Sequence, residues 1–68
     1  MIGTVSIRLV DKETGQESKG VAIEDLIFNQ QEIEFEFGEF GDEDFATLPY
    51  KDFLFFQDDY EVVVHIKH

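Results

Sequence analysis

Val21-Ala-Ile-Glu-Asp-Leu-Ile-Phe-Asn-Gln-Gln-Glu-Ile-Glu-Phe-Glu-Phe37 aligns without a gap with Leu48-Pro-Tyr-Lys-Asp-Phe-Leu-Phe-Phe-Gln-Asp-Asp-Tyr-Glu-Val-Val-Val64. Four residues are identical in the two segments: Asp25 and Asp52, Phe28 and Phe55, Gln30 and Gln57, Glu34 and Glu61. The apolar pattern is kept where identity is lost. Because an internal repeat sets the architecture of a chain, we interpret each segment as one corner of the fold, a short turn followed by a strand. A true duplication and two similar corners of one sheet both predict the same fold class.

Alternating apolar and polar residues predict strands over residues 4–10, 17–23, 32–38, 45–50 and 59–67. Gly20 is expected to be a weak point or a bulge in the second strand. Short helical turns are predicted over residues 24–31 and 51–58, because their apolar spacing is helical but they are too short for stable free helices. The inward-facing residues are expected to be Val5, Ile7, Leu9, Ile33, Phe35, Phe37, Tyr60, Val62, Val64 and Ile66.

These elements predict a mainly β fold. We expect a single small domain over residues 1–68, with about five antiparallel strands and one or two short helical turns. The strands are expected to form either a twisted meander or a small barrel.

The composition is strongly acidic and rich in aromatic residues. Among 68 residues there are 16 acidic and 5 basic side chains, a formal net charge of −11, eight Phe, two Tyr and no Cys. Without disulfides or thiolate metal sites, the aromatic side chains have to supply most of the core. Nucleic acids and anionic membranes bind basic surfaces, so we expect neither as a direct partner. No signal-peptide pattern or membrane-length apolar run is present, which predicts a cytoplasmic protein.

No residue pattern indicates catalysis, a cofactor or a dedicated metal site. The chain has no cysteine nucleophile, and neither serine has a local base. Asp42-Glu-Asp44 and Asp58-Asp-Tyr-Glu61 offer oxygen ligands but lack the spacing of an EF-hand loop. His65 and His68 would point to opposite faces of a strand, which is poor for chelation. We therefore expect a protein that is not an enzyme and binds no cofactor.

One row of carboxylates is a candidate partner-binding surface. Glu32, Glu34 and Glu36 alternate with apolar residues, so they are expected to share the outer face of the third strand at a spacing of about 6.6 Å. The row is continued by Glu39 and then by Asp42, Glu43 and Asp44. A regular carboxylate row that matches a basic cleft favours fast, salt-sensitive association. We expect the partner to be a basic protein.

Phe53-Leu-Phe-Phe56 is a second candidate contact surface. Four successive bulky apolar residues in a turn cannot all face one core. If Phe53 and Leu54 pack inward, then Phe55 or Phe56 faces solvent or a partner and can act as an aromatic anchor. The alternative is that the turn buries both of its sides between the sheet and a loop.

Three functions agree with these features. The first is a small acidic, non-enzymatic protein-binding module. The second is an inhibitor that mimics the charge of a nucleic acid and occupies the basic groove of a DNA-binding protein. In size, charge and lack of cysteine the chain resembles small acidic phage proteins that inhibit host or defence factors. The third is a structural protein that forms homodimers or larger homo-oligomers, through the Phe53–Phe56 run or through an open strand edge.

Overall fold

Five strands and two short helices form the fold, as seen in a computed structural model that describes Gly3–Lys67. The elements in chain order are β1 Thr4–Asp11, β2 Val21–Ala22, α1 Ile23–Phe28, β3 Glu34–Phe37, β4 Ala46–Pro49, α2 Tyr50–Phe55 and β5 Tyr60–Lys67, with one 3₁₀ turn at Gln57–Asp59. The prediction of a small, mainly β chain with five strands and short helical turns is confirmed. The strands do not close into a barrel.

The strands lie in two antiparallel sheets. The first has the order β2-β1-β5 and the second contains β3 and β4. β1 and β5 pair along their whole length, from Thr4 opposite Lys67 to Asp11 opposite Tyr60. The return strand after the first hairpin connects the two sheets, because Ser18 forms a bridge to Phe37.

The return strand contains the bulge that the sequence predicted near Gly20. Glu17 pairs with Val10 and Val21 pairs with Ile7. The return strand therefore has one residue more than the part of β1 that it faces, which defines a β-bulge. A side chain at Gly20 would be crowded, because its Cβ would lie 3.2 Å from a side-chain oxygen of β1.

The two helices occupy equivalent positions in the aligned segments, as the repeat predicted. Both helices follow an extended residue, with φ −62° and ψ 137° at Ala22 and φ −60° and ψ 146° at Pro49. The residues that follow them, Asn29 and Phe56, also share one backbone conformation. α1 leads from the first sheet to the second, and α2 leads back. The two corners are thus one structural unit used twice.

A small aromatic cluster forms the core where the two sheets meet. Its buried members are Leu9, Phe35, Phe37 and Phe53. The ring of Phe53 packs edge-on against Phe35 at a centroid distance of 5.9 Å and against Tyr60 at 6.3 Å. Such edge-on pairs stabilise a core beyond the area that they bury.

One polar side chain lies inside this core. The Oγ of Ser18 accepts a hydrogen bond from the backbone N–H of Leu9 at 2.9 Å and donates one to the carbonyl of Lys19 at 3.1 Å. Burying a hydroxyl is costly unless its hydrogen bonds are satisfied. Here they are, and they fix the start of the return strand against β1.

β5 differs from the prediction. Tyr60 packs against the core, but Val62, Val64 and Ile66 are exposed rather than inward. The alternation was correct in placing these residues on one face, since they pair with the apolar face of β1. Their expected burial was wrong, because the core covers this face of the sheet at Leu9 in β1 but does not extend over these three side chains.

Candidate protein-binding surfaces

The outer face of β3 carries two glutamates. Phe35 and Phe37 are buried, and since successive strand residues point to opposite faces, Glu34 and Glu36 point outward. Glu32 was predicted to continue this row on the strand, but β3 begins at Glu34. Glu32 is exposed in the preceding turn. The row on the strand itself therefore consists of two carboxylates about 6.6 Å apart along the strand.

Little positive charge lies beside these two glutamates. In β4, Glu34 is opposite Pro49 and Glu36 is opposite Thr47, so neither has a cross-strand cation. Lys19 Nζ lies 3.9 Å from a carboxylate oxygen of Glu36, and both side chains are about half exposed. An exposed pair of this kind contributes about 0–1 kcal/mol. The outer face of β3 therefore stays acidic.

The loop from β3 to β4 adds four exposed carboxylates, those of Glu39, Asp42, Glu43 and Asp44. Two backbone hydrogen bonds fold this loop, from Asp42 N–H to Glu39 O at 3.0 Å and from Phe45 N–H to Asp42 O at 3.1 Å. Gly38 begins the loop with φ +80°, a conformation that side-chain-bearing residues rarely adopt. The six carboxylates of β3 and this loop are called the acidic surface below.

Phe40 stands out within the acidic surface. Its side chain is 85% exposed, although its ring contacts Phe45 edge-on at 5.5 Å. Sequence reasoning did not select Phe40 as a site residue. Its position between Gly38 and Gly41, in a run of acidic residues, was the available signal, since an apolar residue at a glycine-flanked loop tip has little core within reach.

The last residue of each helix is a phenylalanine with an exposed ring. Phe28 in α1 and Phe55 in α2 occupy the same repeat position, and both are exposed. In the Phe53–Phe56 run only Phe53 is buried and Leu54 is exposed, so the alternative that the turn buries both of its sides is wrong. Phe55 and Phe56 do face solvent. Phe28 was missed, although its identity with Phe55 in the repeat pointed to a shared environment.

Ion pairing is sparse in the part of the chain that the structure describes. Only two salt bridges occur there, Arg8 with Glu17 at 3.2 Å and Lys19 with Glu36 at 3.9 Å. Both lie at the surface, where such pairs add little stability. Most of the acidic side chains therefore have no cation of Gly3–Lys67 within salt-bridge distance.

Tyr60, which packs against the core at the start of β5, has a shifted pKa. Burial raises the pKa of Tyr60, and the nearby Asp11 and Asp59 carboxylates raise it further. Both causes disfavour the phenolate, since burial removes water from it and the carboxylates repel it.

The part of the chain that the structure describes contains neither a metal-binding cluster nor a helix that could span a membrane. Within Gly3–Lys67, no group of three or more His, Asp or Glu side chains could hold a metal ion. His65 is exposed on β5, whereas His68 lies outside the described residues. Over the same described range, neither helix has the length and apolar character needed to span a bilayer.

Neither a protein-family model, nor a curated protein, nor a solved structure matches the chain.

Proposed function

We propose that this protein is a small, non-enzymatic binding module whose partner is a basic protein. The observation that carries the proposal is the acidic surface, on which a strand and its folded loop hold six carboxylates. Among the residues that the structure describes, a single lysine lies within salt-bridge distance of them. Carboxylates on a paired strand keep a fixed spacing, which gives a partner a defined pattern to match.

Binding would proceed in two physical stages. The net charge of −11 attracts a basic protein over a distance limited by ionic screening. At short range, the carboxylates pair with Arg or Lys side chains, and the exposed ring of Phe40 buries apolar area in the centre of the contact. Interfaces commonly combine an aromatic anchor with a polar rim in this way. The first stage makes the association rate fall as salt is added.

A second candidate function is a special case of the first. In it the basic partner is a DNA-binding protein, and the acidic surface competes with nucleic acid for its groove. The density of negative charge on the acidic surface supports this candidate, because the phosphates of nucleic acids also present closely spaced negative charges to a basic groove. In this case, added DNA duplex would release the DNA-binding protein from the acidic surface. A basic partner that uses a region outside a DNA-binding groove would stay bound.

Capture of partners by the immobilised protein tests the proposal. The site variant carries Glu34→Gln and Glu36→Gln, and the control variant carries Glu13→Gln and Glu24→Gln, two exposed acids away from the acidic surface. Both variants lose the same charge. We expect the wild type and the control variant to capture a basic protein at low ionic strength, and the site variant to capture much less.

High ionic strength should release the captured protein from all three forms. Capture that ignores salt would contradict the proposal. Equal losses in the two variants would also contradict it, because they would show that net charge alone is recognised.

A further inference from the structure

β5 presents a long and unprotected strand edge. It is the last strand in the order β2-β1-β5, and it pairs with β1 residue for residue over eight positions without a bulge. It also contains no proline. Proteins normally blunt such edges with prolines, bulges, charges or short strands, because unpaired backbone groups pair with other chains. β4, in contrast, is four residues long and ends at Pro49.

The side chains of β5 are exposed and mostly apolar. Every side chain from Glu61 to Lys67 is exposed, including those of Val62, Val63, Val64 and Ile66. Val62, Val64 and Ile66 share one face of the strand and form a contiguous apolar patch, which is uncommon on a monomer and marks an interaction surface.

Few of the acidic residues lie in β1 and β5. Of the sixteen acidic residues, only Asp11 and Glu61 lie in β1 or β5, and these strands also contain Arg8 and Lys67. The β1–β5 pair is thus balanced in charge, although the whole chain carries −11. Two copies can therefore approach along β5 with less repulsion than along any acidic surface.

The accessible surface area of the chain is larger than expected for a compact monomer of its mass. The chain exposes 5417 Å², whereas a monomer of 7.9 kDa exposes about 4,400 Å². The excess of about 1,000 Å² shows that the small core leaves much apolar surface uncovered, and β5 is one part of that surface. The radius of gyration agrees, at 12.2 Å against about 10.9 Å for a compact domain of this length.

We propose that β5 pairs antiparallel with β5 of a second copy of this chain, about a two-fold axis at Val64. The two three-stranded sheets then join into one sheet of six strands. The unpaired backbone N–H and C=O groups of each β5 edge form hydrogen bonds with those of the other. A two-fold axis perpendicular to the sheet keeps each apolar face on the same side in both copies. Val62 then lies opposite Ile66 of the second copy, so apolar side chains meet across the axis.

Charge selects this register. With the axis at Val64, Glu61 of each copy lies directly opposite Lys67 of the other, and the dimer contains this pair twice. An axis at Val63 would place Glu61 opposite His65 and would leave Lys67 without a β5 residue to face. Opposite charges that face each other across antiparallel strands stabilise the pairing, and like charges destabilise it. This dimer does not rest on the proposed binding of a basic protein.

Sedimentation equilibrium tests the dimer. The wild type should show twice the chain mass of 7.9 kDa, and the dimer should strengthen with added salt, since screening reduces repulsion between two chains of charge −11. Val64→Lys should give a folded monomer, because it places two lysines face to face at the axis. Ile27→Lys is the matched control, since Ile27 is 59% exposed and Val64 58%, and it should stay dimeric.

A charge swap tests the register. Glu61→Lys alone and Lys67→Glu alone should each weaken the dimer by about tenfold or more, because each places like charges opposite each other. The double variant should restore it, which a purely local effect on the monomer would not do. A wild type that stays monomeric at high concentration overturns the proposal. A dimer that survives Val64→Lys, or a swap that does not restore pairing, overturns it equally.

The salt responses separate this proposal from the binding of a basic protein. Added salt strengthens the β5 dimer and weakens capture of a basic partner. One can therefore fail while the other holds.

Discussion

Replacing Phe35 by alanine should remove a large part of the stability of the fold, whereas the same change at Phe55 should remove almost none. Phe35 is 1% exposed and packs against Phe53, while Phe55 is 85% exposed at the end of α2. A buried Phe→Ala change costs about 3–5 kcal/mol through lost burial and the cavity that remains. A chain of this length is stable by about 3–10 kcal/mol. Phe35→Ala should therefore lose at least about a third of the stability of the fold.

Urea unfolding followed by far-UV circular dichroism measures this difference. At equal protein concentration, Phe55→Ala should change the free energy of unfolding by no more than the roughly 0.5 kcal/mol typical of surface changes. Phe35→Ala should lower the free energy of unfolding by at least about 3 kcal/mol. Similar losses in the two variants would refute the division of the aromatic residues into a buried cluster and exposed contacts, on which the proposed surfaces depend.

Three further predictions concern stability. Added salt should raise the melting temperature in a thermal scan, because it screens repulsion among carboxylates that mostly lack cations; a flat response would contradict this. Gly38→Ala should lower the urea midpoint more than Gly15→Ala, because both glycines have positive φ but only at Gly38 would a Cβ lie 3.1 Å from a backbone oxygen; equal effects would contradict it. Because the pKa of Tyr60 is raised in the folded chain, its phenol keeps its proton at a pH above about 10, where the unfolded chain has lost it. Stability should therefore fall as the pH rises above about 10, and Tyr60→Phe should lack this part of the fall in urea midpoints between about pH 8 and pH 11.

Local patterns predicted most elements of the fold. The repeat placed α1 and α2 at equivalent positions, and each of the five predicted strand ranges overlaps an observed strand. The bulge near Gly20 and the outward direction of Glu34 and Glu36 were also predicted. These features depend on neighbouring residues and on the period of two in a strand, both of which are visible in a sequence.

Features that depend on distant parts of the chain were not predicted. The alternation in β5 identified the shared face of Val62, Val64 and Ile66, but it could not show that the core leaves these three side chains uncovered. Such coverage depends on how the second sheet sits on the first, which is a long-range property. The exposure of Phe40 and Phe28 was missed for the same reason, since aromatic residues in a small chain are more often buried than exposed.

The proposal of a binding module is tested most directly by the affinity of the captured basic protein for the wild type, the site variant and the control variant. We expect the site variant to bind at least about tenfold more weakly at low ionic strength, chiefly through slower association, and the control variant to bind like the wild type. The differences among the three should shrink as salt is added. Equal affinities for the site and control variants, or an affinity that does not change with salt, would contradict the role of the acidic surface.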